Sequence, residues 1–156
     1  MDEKVTMFIE RIGVRSENMG FPPLAGRIFG CLLLAEPPYM TFEELCERLG
    51  ASKSTISNNL QFLMRGDCMI DYFTLPGDRK RYFKINTNNW IKKVQDIPED
   101  IKGSNELIEE IMAFRRENNL DESFTRNLEI IHSFHEFIIE KMPDLIREWK
   151  IKNKIS

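Results

Sequence analysis

"TFEELCERLGASKSTISNNLQFL", residues Thr41 to Leu63, sets two amphipathic helical patterns on either side of one short turn. Thr41 followed by Glu44 is a capping box, in which the hydroxyl takes an opening amide and the carboxylate reaches back to the cap's own N–H. Phe42, Leu45 and Leu49 then share a face, and Gly50 supplies the left-handed residue by which a chain leaves a helix. Ser52 caps the next helix, where Ile56, Leu60 and Leu63 recur at i, i+4 and i+7. Two short helices joined by Gly50, Ala51 and Ser52 read as a helix-turn-helix.

Turning Ile56, Leu60 and Leu63 inward leaves Lys53, Ser54, Thr55, Ser57, Asn58, Gln61 and Arg65 on or near the outward face. No carboxylate occurs from Ala51 to Gly66. A merely solvated helix face mixes Glu with Lys, whereas a helix lying against phosphates must exclude acids. Ser, Asn, Gln and Arg are also side chains that can read donor and acceptor patterns in the major groove. The stretches "CMIDYFTL" and "KRYFKI" follow around the turn signal "PGDR", giving a β-hairpin with Arg79, Lys80 and Arg81 clustered at its turn. A projecting basic hairpin suits the negative potential of the minor groove.

Charge is distributed to match. The chain carries a net charge of −3, yet from Arg48 to Lys93 nine basic residues face three acidic ones, against thirteen basic and twenty-two acidic elsewhere. Such a chain is repelled from polyanions except through its middle. At 156 residues, with 42% hydrophobic and 30% charged residues, a packed fold is expected. The longest apolar runs fall far short of the roughly 18 residues of a membrane helix, and the N-terminus lacks a signal pattern, so a cytoplasmic protein with no membrane association is expected. Cys31, Cys46 and Cys68 are too scattered for a disulfide framework or a zinc site and read as buried thiols.

Working outward, residues 3 to 18 form a first helix with Phe8, Ile9, Ile12 and Val14 near one side, ended near Gly20. Pro22 and Pro23 open the second, "LAGRIFGCLLLAE", which reads as buried and is stopped by Pro37 and Pro38. Gly66 ends the fourth. From Asn86 the chain returns to helix, with Pro98 and Gly103 as breaks and "ENNLDES" as the last turn, capped by Asp121 or Ser123. Phe124, Leu128, Ile131, His135, Ile138, Met142 and Leu145 then alternate steps of four and three, a seam that usually faces another helix, and a partner subunit is a candidate for it.

"GFPPLAGRIFGCLLL", "TFEELCERLGASKSTISNNLQFL" and "GDRKRYFKI" resemble, in order from about Phe8 to Trp90, the GbsR-type branch of the MarR superfamily of bacterial winged-helix regulators. The resemblance implies a mainly α fold with a small β-hairpin wing. It implies a dimerisation helix at 1–20, a winged helix-turn-helix domain at 21–90 and a C-terminal helical dimerisation region at 91–156. It also implies a dimeric repressor on a palindromic duplex operator, with Ser54, Ser57, Asn58 and Gln61 in the groove-reading helix and Arg79 in the wing. Many such proteins answer to a small molecule, for which Phe8, Phe21, Phe29, Tyr39 and Trp90 are the candidate lining, an aromatic set that would favour a quaternary ammonium ligand; the alternative is that these rings are simply core. No phosphate loop or serine elbow is present, and His132 and His135 on a largely apolar helix read as surface or interface residues. Neither an enzyme nor a metal or cofactor protein is therefore expected. The rival reading is a winged-helix protein-interaction module, which has no need of an acid-free face.

Overall fold

A computed structural model describes residues 3–65 and 69–155; Gly66 and Cys68, read above as a helix terminator and a buried thiol, lie outside the described residues. The elements are α1 (Glu3–Glu17), α2 (Pro23–Leu33), β1 (Met40–Thr41), α3 (Phe42–Leu49), α4 (Lys53–Met64), β2 (Ile70–Phe73), β3 (Tyr82–Ile85), α5 (Thr87–Glu117) and α6 (Glu122–Asn153). The fold is mainly α with a small antiparallel sheet, and the chain divides into two compact units between Trp90 and Ile91. No helix among the described residues is long and apolar enough to cross a membrane.

In the first unit α2 is the central element. Its Ala25, Ile28, Cys31 and Leu32 are buried together with Ile9 of α1, Leu45 of α3, Ile56, Leu60 and Leu63 of α4, Ile70 of β2 and Phe83 of β3. Removing a Leu or Ile side chain of this kind from water stabilises by roughly 1.5–3 kcal/mol. The core therefore fixes where α3 and α4 sit. Their ends are set locally: the Glu44 amide donates to Thr41 Oγ1 at 3.3 Å and the Thr41 amide to Glu44 Oε2 at 2.7 Å, so the capping box is complete. These bonds hold the Glu44 carboxyl below its ordinary range. Gly50 leaves α3 at φ 58, and the Thr55 amide donates to Ser52 Oγ at 3.2 Å.

The sheet has the order β1-β3-β2, with Met40 opposite Phe83 and Tyr72 opposite Phe83 on the other side. Strand β1 has no counterpart in the sequence reading, because two residues are too few to show a period of two. Burial at Cys31 pushes its thiol up to about 11, but Cys46 is only half-buried, since α3 turns it toward the edge of the core.

Helix α1 corrects the expected inward face. Ile9 and Gly13 are buried, whereas Val14 is 52% exposed. Five residues beyond Ile9, Val14 lies about 140° around the helix, and the contact with α2 comes so close that only a small residue fits. A Cβ at Gly26 would fall 2.5 Å from Ser16 Cβ and 3.1 Å from Gly13 Cα. Gly26→Ala is therefore expected to lower stability by about 1–3 kcal/mol through overpacking, despite alanine's better helix propensity. Gly103→Ala, with nothing within 4 Å of the added methyl, should instead gain about 0.5–1 kcal/mol. Thermal unfolding followed by circular dichroism checks both signs, and an unchanged Gly26→Ala would mean that α1 does not approach α2 this closely.

In the second unit, Pro98 and Gly103 do not break the helix: α5 runs through both for 31 residues. A proline costs a helix roughly 3 kcal/mol and a glycine about 1, and a helix of this length loses one hydrogen bond at Pro98 while keeping its turns on both sides. The α5–α6 turn is tied by Arg115, whose Nε donates to Thr125 Oγ1 at 3.0 Å and whose Nη2 donates to the Asp121 carbonyl at 3.2 Å. Asp121, not Ser123, is the cap, accepting from the Phe124 amide at 2.7 Å. Along the anticipated seam Leu128, His135, Ile138 and Met142 are half-buried, while Phe124, Ile131 and Leu145 are exposed. A second, more exposed stripe runs through Ile130, Phe134 and Phe137 of α6, and α5 carries another at Leu107, Ile111 and Phe114.

Candidate nucleic-acid interface

The α3–turn–α4 core holds the polar face of α4 outward. Lys53, Ser54, Thr55, Asn58, Gln61 and Arg65 are exposed, and Ser57 is half-buried. Two of these side chains are engaged at the helix start, where Ser52 Oγ lies 3.0 Å from Ser54 Oγ and 2.7 Å from Thr55 Oγ1. They belong to the cap as well as to the surface. Asn59, which the helical wheel did not single out, turns its Nδ2 to the Thr55 carbonyl at 2.8 Å. Asn58 and Gln61 have the freer polar ends.

Ser57 and Gln61 share a cleft of about 410 Å³ with Arg79, Lys80 and Arg81, closed by Phe42, Leu60, Met64 and Phe83. The structure thus brings the two basic and polar segments, some twenty residues apart in sequence, to one concave surface. Glu43 also lines this cleft, an acid that a scan confined to α4 could not find.

The hairpin tip is built, not loose. Gly77 takes φ 81, the Asp78 amide donates to the Leu75 carbonyl at 3.0 Å, and the Lys80 amide donates to Asp78 Oδ1 at 2.9 Å. Tyr82 Oη donates to Asp78 Oδ2 at 2.6 Å. These bonds, the Tyr82 one foremost, hold the Asp78 carboxyl below its ordinary range and push the Tyr82 phenol up to about 12. The carboxylate inside this basic tip is consequently committed to shaping it. The Tyr82 ring stacks on Phe73 at 5.5 Å and meets Tyr39 edge-on at 5.4 Å, so the latch is anchored in the sheet. The Arg81 guanidinium lies 4.7 Å over the Tyr72 ring and the Lys84 ammonium 5.4 Å over Phe73. Arg79 and Lys80 project from the turn, while Arg81 is folded onto the hairpin's own face. Nothing in the sequence marks Asp78 and Tyr82 as partners, because a spacing of four suggests a helix and not a latch across a turn.

The five aromatic residues expected to form one small-molecule box are not together. Phe8, Phe21 and Phe29 line a groove beside α1 and α2, Tyr39 packs on Phe73 and Tyr82, and Trp90 is 59% exposed.

A helix-turn-helix whose second helix offers an acid-free polar face beside a basic hairpin is a winged helix-turn-helix. Similar architecture is found in a solved structure described as a transcriptional regulator, which superposes with a TM-score of 0.72 at 23% identity, covering 94% of this chain and 98% of that one. At that identity the likeness establishes the fold. The HTH-type transcriptional regulator MmpR5 of Mycobacterium tuberculosis is 36% identical over 81 residues, which is 52% of this chain and 48% of that protein. The chain thus spans about half the length of the curated relative it matches. No protein-family model matches the chain.

Proposed function

We propose that this chain is a DNA-binding transcriptional regulator, acting as a dimeric repressor on a palindromic operator and belonging to the GbsR-type branch of the MarR superfamily. The observation that carries the reading is the cleft in which Ser57 and Gln61 of an acid-free helix face Arg79 and Lys80 of the wing. Duplex DNA offers base edges to the first pair and phosphates to the second. The named function of MmpR5 supports the same reading, as do the sequence motifs from Phe8 to Trp90. Dimerisation runs through the helix at 1–20 and the region 91–156; the second of these is supported by the apolar stripes that α5 and α6 leave exposed, since contiguous apolar surface of this kind marks an interaction site.

Selection of bound fragments from the source genome with the purified chain tests the reading. The expected product is an imperfect palindrome with half-sites about 10 bp apart. On that operator Asn58→Ala should lose about 1–3 kcal/mol while binding to random duplex changes little. If operator and random DNA lose equally, Asn58 does not read bases. If no fragment is enriched, the winged helix is a protein-interaction module.

A further inference from the structure

Glu43, in the first turn of α3, lines the same cleft as Ser57 and Gln61 of α4 and Arg79 and Lys80 of the wing, and it is the one acid among the described residues that do so. Capping of α3 does not require it there. Glu44 completes the capping box, accepting from the Thr41 amide at 2.7 Å and from the Thr41 hydroxyl at 2.8 Å, while Glu43 is exposed. The bonds from Thr41 hold the Glu44 carboxyl low and Lys80 lowers it further, so the positive charge of the wing reaches the first turn of α3. Glu43 thus puts a negative charge and a pure hydrogen-bond acceptor into a cleft whose other polar groups suit duplex DNA.

A carboxylate only accepts hydrogen bonds, and so does a backbone phosphate, so the two repel and cannot bond. Arg79 and Lys80 by themselves suit the phosphates of any sequence. An acceptor in the same cleft penalises a phosphate seated against it and rewards a base that offers an amino group. In the major groove those amino groups are cytosine N4 and adenine N6, and adenine sets the acceptor N7 beside its own. Cytosine is therefore the better match. We propose that Glu43 is a specificity-determining residue, which favours a duplex presenting a cytosine amino group to the cleft and disfavours one presenting phosphate alone; the proposal rests on the DNA-binding reading above.

Anisotropy titration of the full chain with the selected operator and with a random duplex of equal length tests this, circular dichroism confirming that each variant is folded. Glu43→Ala is expected to tighten binding to random duplex about threefold, by loss of repulsion, and to weaken binding to the operator about threefold, by loss of the base contact. The ratio of the two affinities then narrows about tenfold. Replacing the operator's cytosines one at a time should find a position at which wild type loses about tenfold and Glu43→Ala loses little. Glu43→Gln, which keeps an acceptor and drops the charge, should tighten random duplex as Glu43→Ala does while retaining part of the cytosine preference. Glu47→Ala removes the same charge from an exposed position one turn along α3, outside the cleft lining, and should leave the ratio unchanged. Equal tightening on both duplexes, the same result from Glu47→Ala, or no cytosine to which wild type and Glu43→Ala respond differently overturns the proposal while the DNA reading stands. A wild-type chain that binds no duplex at about 50 mM salt, where phosphate contacts are strong, ends both.

Discussion

Raising salt from about 50 to 200 mM is expected to weaken binding of duplex DNA by about 10³- to 10⁵-fold, if the two halves of a dimer together neutralise six to ten phosphates. The sources of that charge are Lys53 and Arg65 on α4 and Arg79 and Lys80 on the wing, all exposed. Arg79→Ala should shallow the salt slope by about one unit and weaken operator and random DNA nearly alike. Arg81→Ala should have the smaller effect, because its guanidinium lies over the Tyr72 ring. Asp78→Asn gives a sign test. If the wing acted only through net charge, removing a carboxylate would tighten binding. Because Asp78 holds the Tyr82 phenol and the Lys80 amide, its loss is expected to weaken binding instead, and Tyr82→Phe should do the same with no change of charge. The latch requires ionised Asp78, whose titration is depressed in the fold. It is therefore present at neutral pH and lost only as pH falls through that lowered range. Anisotropy titrations at several salt concentrations read all four variants, and an isotherm insensitive to salt ends the DNA reading.

Phe134→Asp is expected to convert a dimer into a monomer at micromolar concentration, raising the dissociation constant by about 10³ or more. Phe134 is 60% exposed and stands with Ile130 and Phe137 on one stripe of α6, so the substitution leaves no cavity in the subunit. Within an apolar interface, however, a buried carboxylate without a partner costs several kcal/mol, and about 4 kcal/mol is a thousandfold in affinity. Sedimentation velocity gives the assembly state and circular dichroism confirms helicity. DNA binding should fall with it, because a monomer holds one half-site where a dimer holds two. Leu128→Asp, on the half-buried side of the same helix, serves as the contrast and should cost subunit stability as well. A Phe134→Asp chain that stays dimeric places the interface on another face.

The sequence alone determined those features whose physics is local. Thr41 with Glu44, Gly50, and Ser52 with Thr55 satisfy or release backbone groups within one turn of themselves, and each stands in the structure as the residues dictate. The inward set Ile56, Leu60 and Leu63 follows equally from the period of a helix. The acid-free face was visible for the same reason, since a run of adjacent residues contains everything needed to see it. What only the tertiary structure decided is where distant segments meet. The inward choice of Gly13 over Val14 comes from the closeness of α1 to α2. The persistence of α5 through Pro98 comes from a long helix outweighing one missing bond. The separation of Tyr39 and Trp90 from Phe8, Phe21 and Phe29 comes from packing that residue type does not encode. The Asp78–Tyr82 latch, the folding of Arg81 onto Tyr72, and the engagement of Arg27 by both Glu10 and Glu17 likewise depend on which side chains share space once the core has closed. Local rules constrain a residue through its neighbours in the chain, whereas a site is made of neighbours in space, and only the packed core assigns those.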